Sequence, residues 1–281
     1  MHDKNATHMI KAIYDERSES YDDSNNSHHI RQAQEYIECA QLKEGEAVLD
    51  LACGTGLVTL LAKRRVGRGR VVGVDISDGM LEVARRKTRQ QGLDVAYFEY
   101  DIADVSGLDL LLEATQGFDV ITCASALVLL KEPLRAVKHW ASLLAPNGRL
   151  LTDVAVERSM TAARILAEIG VEIGQSVRWD ASWVESEDSL RKLLSDAGLT
   201  VEQVYTSKAY ETLEHKAGDG PEMFEKAVAS PMFRNFGEPA TKDKAKALFS
   251  KKFEEMAGED GLVHEEVRFY MGIATKKTNV G

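Results

Sequence analysis

Cysteine is scarce in this chain. Three cysteines among 281 residues (Cys39, Cys53, Cys123), odd in number and widely spaced, exclude a disulfide framework. They match no metal-ligand spacing either, so they read as free thiols in a reducing compartment, and no metal is expected. No apolar run approaches the roughly 20 residues of a membrane span. The opening MHDKNATHMIK lacks the apolar centre of a secretory signal. Positive charge is in deficit as well. Lys and Arg number 35 against 45 Asp and Glu, a formal net charge of -10, which disfavours nucleic-acid partners. Repeats and low-complexity segments are absent. The expectation is a cytoplasmic protein with neither a membrane nor a nucleic-acid partner; its oligomeric state stays open.

What the chain does have is 44% hydrophobic residues, enough for one large domain or for one domain with an insertion. Residues 5–45 carry helical apolar spacing in two pieces, split by the polar DDSNNS at Asp22–Ser27. From Ala47 to Val156 short β-rich runs (AVLDLA, RVVGVDI, VAYFEYDI, FDVITCASA, GRLLTDVAV) alternate with amphipathic stretches. Such alternation predicts βαβ units and a parallel sheet covered on both faces. SEDSLRKLLSDAGL predicts a helix with Ser186 and Asp188 at its start, and TVEQVYTSKAYETLE alternates as a strand. Residues 218–260 break the rhythm with Pro221, Pro231, Pro239 and a lysine-rich helix, before a closing strand, EEVRFYMGIATKK. The predicted fold is α/β: a doubly wound Rossmann-like sheet with an N-terminal helical cap (1–45) and a core (46–217). A helical lid (218–260) is inserted before the last strand and tail (261–281), over the carboxyl edge where ligands bind.

The densest chemistry lies in Asp50-Leu51-Ala52-Cys53-Gly54-Thr55-Gly56, a strand, a turn and the start of a helix. Its glycines permit unusual φ and the close approach of a ligand, although a tight turn can also be packed for its own sake. Two acidic strand ends favour the ligand. Asp75 closes the second strand, where a carboxylate accepts from both hydroxyls of a ribose. Asp101 closes the third, where it can accept from the exocyclic amine of adenine between Met80 and Ile102.

At these residues the chain resembles the class I S-adenosylmethionine-dependent methyltransferases. VLDLACGTG is similar to their first motif, VVGVDIS to their ribose-binding acidic motif and YDIADV to their adenine-side motif. FDVITCASALVLL and LAPNGRLL are similar to the fourth strand and the turn into the fifth. The resemblance covers residues 45–156 well, and its flavour is that of quinone-biosynthesis enzymes and of small-molecule methyltransferases in fungal secondary metabolism. It implies S-adenosyl-L-methionine as cofactor. Asp50 would orient the methionine ammonium, with Ala52, Cys53 and Gly54 along the methionine end and Gly56 letting the helix start close by. Asp75 and Ile76 would hold the ribose, Asp101, Ile102 and Met80 the adenine, and Ala124 and Ser125 would lie under the cofactor. SESYDDS is similar to the segment that closes over the cofactor, which nominates Tyr21. Where some small-molecule members carry a histidine after strand four, this chain has Leu127-Val128. The Asn/Asp-Pro-Pro-aromatic motif of amide and base methylation is missing.

Methyl transfer from a sulfonium is an in-line displacement that alignment alone can accelerate greatly. A hydroxyl acceptor also wants a base, whereas a thiol near pKa ~8.5 is largely self-activating. His28 and His29, on the segment expected over the methyl face, are the candidate catalytic bases; His139, His215 and His264 are weaker ones. Trp179, Trp183, Phe224, Met232, Phe233 and Phe236 are the apolar candidates for a lid around a pocket, although residues at such spacing more often pack in a core. The basic KRRVGRGR (Lys63–Arg70) reads as the solvated end of a helix, where cations suit the dipole. A small-molecule substrate is the leading expectation. A non-methylating cofactor-binding module and a protein or RNA methyltransferase stand as alternatives. A nicotinamide oxidoreductase is disfavoured because Thr59 stands where a third glycine would be.

Overall fold

The computed structural model describes residues 4–24, 27–108, 117–156, 159–175, 177 and 179–277. In chain order the strands are β1 (Val48–Leu51), β2 (Val71–Asp75), β3 (Ala96–Glu99), β4 (Phe118–Cys123), β5 (Leu144–Ala155), β6 (Thr200–Thr206), β7 (Glu211–Lys216), β8 (Leu262–Val267) and β9 (Phe269–Thr275). The helices are α1 (Lys4–Arg17), α2 (His28–Ala40), α3 (Leu57–Val66), α4 (Asp78–Gln90), α5 (Pro133–Leu143), α6 (Thr161–Ile173), α7 (Glu187–Asp196), α8 (Gly220–Ala229) and α9 (Lys242–Glu255). Among the described residues no helix is long and apolar enough to cross a membrane.

Seven strands form one sheet in the order β3-β2-β1-β4-β5-β9-β6. The first five are parallel, and β9 runs antiparallel between β5 and β6. β1 and β2 are buried at every position, as central strands covered on both faces must be. The strand order reverses between β1 and β4, so the turns leaving their carboxyl ends diverge and open the crevice in which open α/β sheets bind ligands.

Local chemistry starts the helices where the sequence places them. Ser77 caps α4 by accepting from the Met80 N–H. Ser186 and Ser189 form a reciprocal capping box on α7, and Pro133 sits in the first turn of α5, where its missing N–H costs nothing. Glycine is required at position 56, the residue before α3. There φ is +82°, and a Cβ would meet the Tyr97 hydroxyl at 3.1 Å and the Ala84 Cβ at 3.2 Å.

Two segments expected as single strands are each divided. The run 200–214 supplies β6 to the large sheet and β7 to a two-stranded ribbon; the run 265–277 supplies β8 to that ribbon and β9 to the sheet. The pairing nevertheless continues across the bend, through Ser207 N–H to the Phe269 carbonyl (2.8 Å) and Tyr210 N–H to the Val267 carbonyl (2.9 Å). Alternation specifies which side chains face inwards, not which sheet they join. The ribbon is thus an extension of the β6/β9 pair, and α8 and α9 are inserted at its far end. They fold back on α6, a helix absent from the sequence expectations, around Ile165, Leu166, Ile169, Phe224, Phe236, Phe249 and Phe253. Ile165, Leu166 and Ile169 at helical spacing were the available signal.

Candidate active site

Two cavities meet above the carboxyl ends of β1 and β4. The first, about 180 Å³, is walled by Ala52, Gly54, Asp75, Ile76, Met80, Asp101, Ile102, Ala124 and Ser125, and roofed by Thr7, Ile10 and Tyr14 of α1. A narrow pocket of about 50 Å³ adjoins it beside Asp50, Cys53, Thr55, His29 and Gln32. The second large cavity, about 390 Å³, lies between the sheet, α2 and the α6–α8–ribbon layer. Tyr14, Tyr21, Ser125, Ala126 and Leu129 line both large cavities.

The glycine turn is open where a ligand would enter. Gly54 has φ +52°, and a Cβ added there would meet nothing within 4 Å. Ala52 and Ser125 face one another across the crevice, with left-handed φ of 53° and 55°. For non-glycine residues that conformation costs roughly 1–2 kcal/mol each and needs support. The Asp75 carboxylate supplies it on one side, accepting from Gly54 N–H and Ser77 N–H, both at 2.8 Å. Burial pushes Asp75 up to about 6, against those bonds, which favour the ion.

Asp50 is occupied by other partners. Its two oxygens accept from the hydroxyls of Thr59 (2.5 Å) and Thr122 (2.8 Å), and burial raises it to about 6. Asp101 keeps one oxygen on Ala103 N–H (2.9 Å) and lies on the wall of the first cavity. The Cys53 thiol is buried and its pKa pushed well up by desolvation. Gly56 lies away from the three cavities; its missing side chain accommodates Tyr97 and α4, so the close helix start it permits is against the protein's own packing.

Tyr21 lies beyond α1, in the turn towards α2, not within a helix. Its ring stacks on His29 at 4.5 Å, and the Arg17 guanidinium sits 5.3 Å from the rings of both Tyr14 and Tyr21. The next residue, Asp22, accepts from Thr55 Oγ1 and Lys87, fixing the cap to the glycine turn. Part of DDSNNS falls on residues 25–26, outside the described residues. Asp15 accepts from Ser77 Oγ (2.6 Å) and Gly79 N–H (2.9 Å), and Lys11 pairs with Glu99 at 2.7 Å, so α1 is held over the first cavity by polar bonds.

His28 and His29 both line the second cavity, their rings 4.0 Å apart. Burial pulls His29 down to about 3, the charge of His28 adds to this, and a hydrogen bond with Gln32 works the other way. At neutral pH its imidazole is uncharged. The remaining histidines lie elsewhere: His139 accepts from Val105 N–H at 3.1 Å, His215 packs against Phe253, and His264 pairs with Asp260 at 2.8 Å. Of the apolar residues expected around a pocket, Trp179, Met232 and Phe233 line the second cavity. Phe224 and Phe236 are fully buried in the α6–α8–α9 core, and Trp183 packs against the main core. KRRVGRGR lies at the opposite, amino edge of β2, where Lys63 donates to the Gly69 carbonyl.

One residue of this region was missed from sequence. Asp153 near the end of β5 is fully buried and accepts three hydrogen bonds: Ser125 N–H (2.9 Å) on one oxygen, Gln32 Nε2 and Tyr36 OH (both 2.7 Å) on the other. Burial pushes it up to about 7. A charged residue inside the apolar run LLTDVAV was the visible signal, because ionised groups are rarely fully buried without a partner.

Residues 48–148 match a family model described as a methyltransferase domain. A ubiquinone/menaquinone biosynthesis C-methyltransferase of Enterobacter sp. is 32% identical over 179 residues, which is 58% of this chain and 70% of that protein. A ubiquinone biosynthesis O-methyltransferase of Coxiella burnetii is 38% identical over 117 residues, 41% of this chain and 46% of the relative; this chain therefore spans about half of it. Among solved structures, a Bacillus halodurans protein superposes with a TM-score of 0.62 at 18% identity, over 88% of this chain and 99% of that one, a likeness of fold.

Proposed function

Since the chain belongs to the class I S-adenosylmethionine-dependent methyltransferases, we propose that its acceptor is a small molecule held in the second cavity. The observation that carries this reading is the wall of Tyr14, Tyr21, Ser125, Ala126 and Leu129 shared by the two large cavities. A donor on one side and an acceptor on the other would meet there, out of bulk water.

The first cavity fits the cofactor. Gly54 leaves open the space a side chain would fill. Each oxygen of Asp75 carries one backbone N–H and retains a lone pair for a ribose hydroxyl. Asp101 would take the adenine amine, with Ile102, Ile76 and Met80 as apolar walls, and Ala52, Ala124 and Ser125 would lie along the donor. The narrow pocket beside Asp50 and Cys53 would take the methionine end. When bound, S-adenosylmethionine supplies a methyl group activated by its positive sulfur.

The protein's own contribution is alignment and exclusion of water, worth on the order of 7–11 kcal/mol when reactants are well placed. Tyr21 and the uncharged His29, stacked on one another, would border the reacting atoms. His28 and His29 would orient an acceptor hydroxyl, thiol or amine, and because burial holds His29 near 3 it would accept a hydrogen bond rather than carry the proton away. The relatives' activities, C- and O-methylation in ubiquinone biosynthesis, make hydroxylated aromatic rings the first acceptors to try.

The test is incubation with methyl-deuterated S-adenosylmethionine and a panel of phenols, quinone precursors, thiols and amines, read by mass spectrometry. A deuteromethyl adduct on one class supports the reading and names the atom. Cofactor binding by calorimetry without any adduct would replace it with a non-methylating module.

A further inference from the structure

Asp153 lines the second cavity and not the first, and its bonds converge on the wall the two share. It holds the Ser125 N–H directly, and through Gln32, whose Oε1 accepts from the Ser125 hydroxyl at 3.0 Å, it holds the side chain too. Gln32 also bonds to His29, and Tyr36 ties α2 to the sheet. We propose that Asp153 is a positioning residue for methyl transfer: its carboxylate fixes the left-handed Ser125 turn and the α2 face at the junction of the two cavities. This rests on the reading of the second cavity as the acceptor site.

The network has two proton arrangements. With Asp153 ionised, its three donors all point at it. The Tyr36 hydroxyl then gives its single proton to Asp153, and the Cys123 carbonyl, 3.0 Å from that hydroxyl, keeps the Thr152 hydroxyl at 2.9 Å. With Asp153 protonated, its O–H must itself donate. Tyr36 is the neighbour able to accept, so its own proton turns to Cys123, and the oxygen shared with Gln32 becomes a poorer acceptor. Gln32 then loosens its hold on Ser125 and His29. The ionisable groups around Asp153 are Tyr36, Glu35, His28 and His29 from α2, Cys123 from β4, Asp50 from β1 and Tyr210 before β7. Burial already brings Asp153 near neutrality, so the change falls within the working pH range.

Two readouts test this. The first is the amide resonance of Ser125 in protein saturated with S-adenosylhomocysteine. It should titrate with a midpoint near 7, lose the titration in Asp153→Asn, and move its midpoint upward in Tyr36→Phe, which removes one bond to the ion. The second is single-turnover methyl transfer to whichever panel compound accepts the label. The rate should rise about tenfold from pH 6 to pH 8, as one ionisation near 7 dictates, and Asp153→Asn should be flat at the low value when both are measured at saturating cofactor. A Ser125 resonance that does not titrate, or an acid limb retained in Asp153→Asn, overturns the proposal. Should Asp153→Asn not fold, the Tyr36→Phe midpoint decides alone. Absence of any methylated panel compound would instead count against the acceptor-site reading, and the resonance arm would still decide whether Asp153 holds the turn.

Discussion

Beside the first cavity, Asp75 at the end of β2 reaches across to Gly54 N–H in the turn after β1; beside the second, Asp153 near the end of β5 reaches across to Ser125 N–H in the strained turn after β4. The device is the same, mirrored about the point where strand order reverses. The supporting partners differ. Asp75 rests on backbone N–H groups, that of Ser77 in its own βα unit and that of Gly54 in the neighbouring one, 21 residues earlier. Asp153 rests on Gln32 and Tyr36, side chains from a helix more than a hundred residues earlier. One half is assembled from local chain, the other from distant segments.

That difference suggests where each half breaks. Asp75→Ala should weaken S-adenosylmethionine binding by about 100-fold in calorimetry, since two hydrogen bonds to a charged group at roughly 1.5 kcal/mol each would go. Unchanged affinity would remove the ribose assignment. Gly54→Ala places a Cβ in the donor space and should weaken binding about tenfold through overlap with the ligand, while the left-handed φ of +52° costs roughly 1–2 kcal/mol of stability. Replacing His28, which lines only the second cavity, with alanine should leave that affinity within twofold while turnover falls about tenfold, as misaligned reactants would. An equal loss in both constants would mean that the two halves are not separable.

The smallest effect is on stability. An aspartate whose folded pKa lies near 7, above its ordinary value of 3.8, keeps its proton in the folded chain after the unfolded chain has released it. Stability is thus lost as pH rises through that window and regained below it. Asp153→Asn removes this dependence, so its melting temperature relative to wild type should be higher at pH 8 than at pH 5, by a few degrees at most. Calorimetric scans at the two pH values check the sign.

The wall of the first cavity was legible because its residues are sequential: Ala52 and Gly54, Asp75 to Met80, and Asp101 with Ile102 each lie within a few residues of a strand end. The wall of the second cavity was not. His28 and His29 lie on the cap in sequence, but the burial of His28 and the contact of His29 with Gln32 depend on α2 docking against β5. Asp153 reads in sequence as one polar residue in a strand, and only tertiary packing brings Tyr36 and Gln32 to it. The division of residues 200–214 and 265–277 between two sheets was hidden for the same reason, because a bend in a paired hairpin leaves the alternation of each strand intact.

The ribbon carries one more implication. Residues 217–261 leave and rejoin the chain at Lys216 and Leu262, which face each other across a single rung of the ladder. A segment whose two ends already meet can be exchanged as a cassette, because its replacement need only close the same short gap. Six lining residues of the second cavity, from Met223 to Phe233, lie on this cassette and none of the first cavity's do, so chimaeras with relatives that change acceptor preference at those two joints would support the proposed acceptor site.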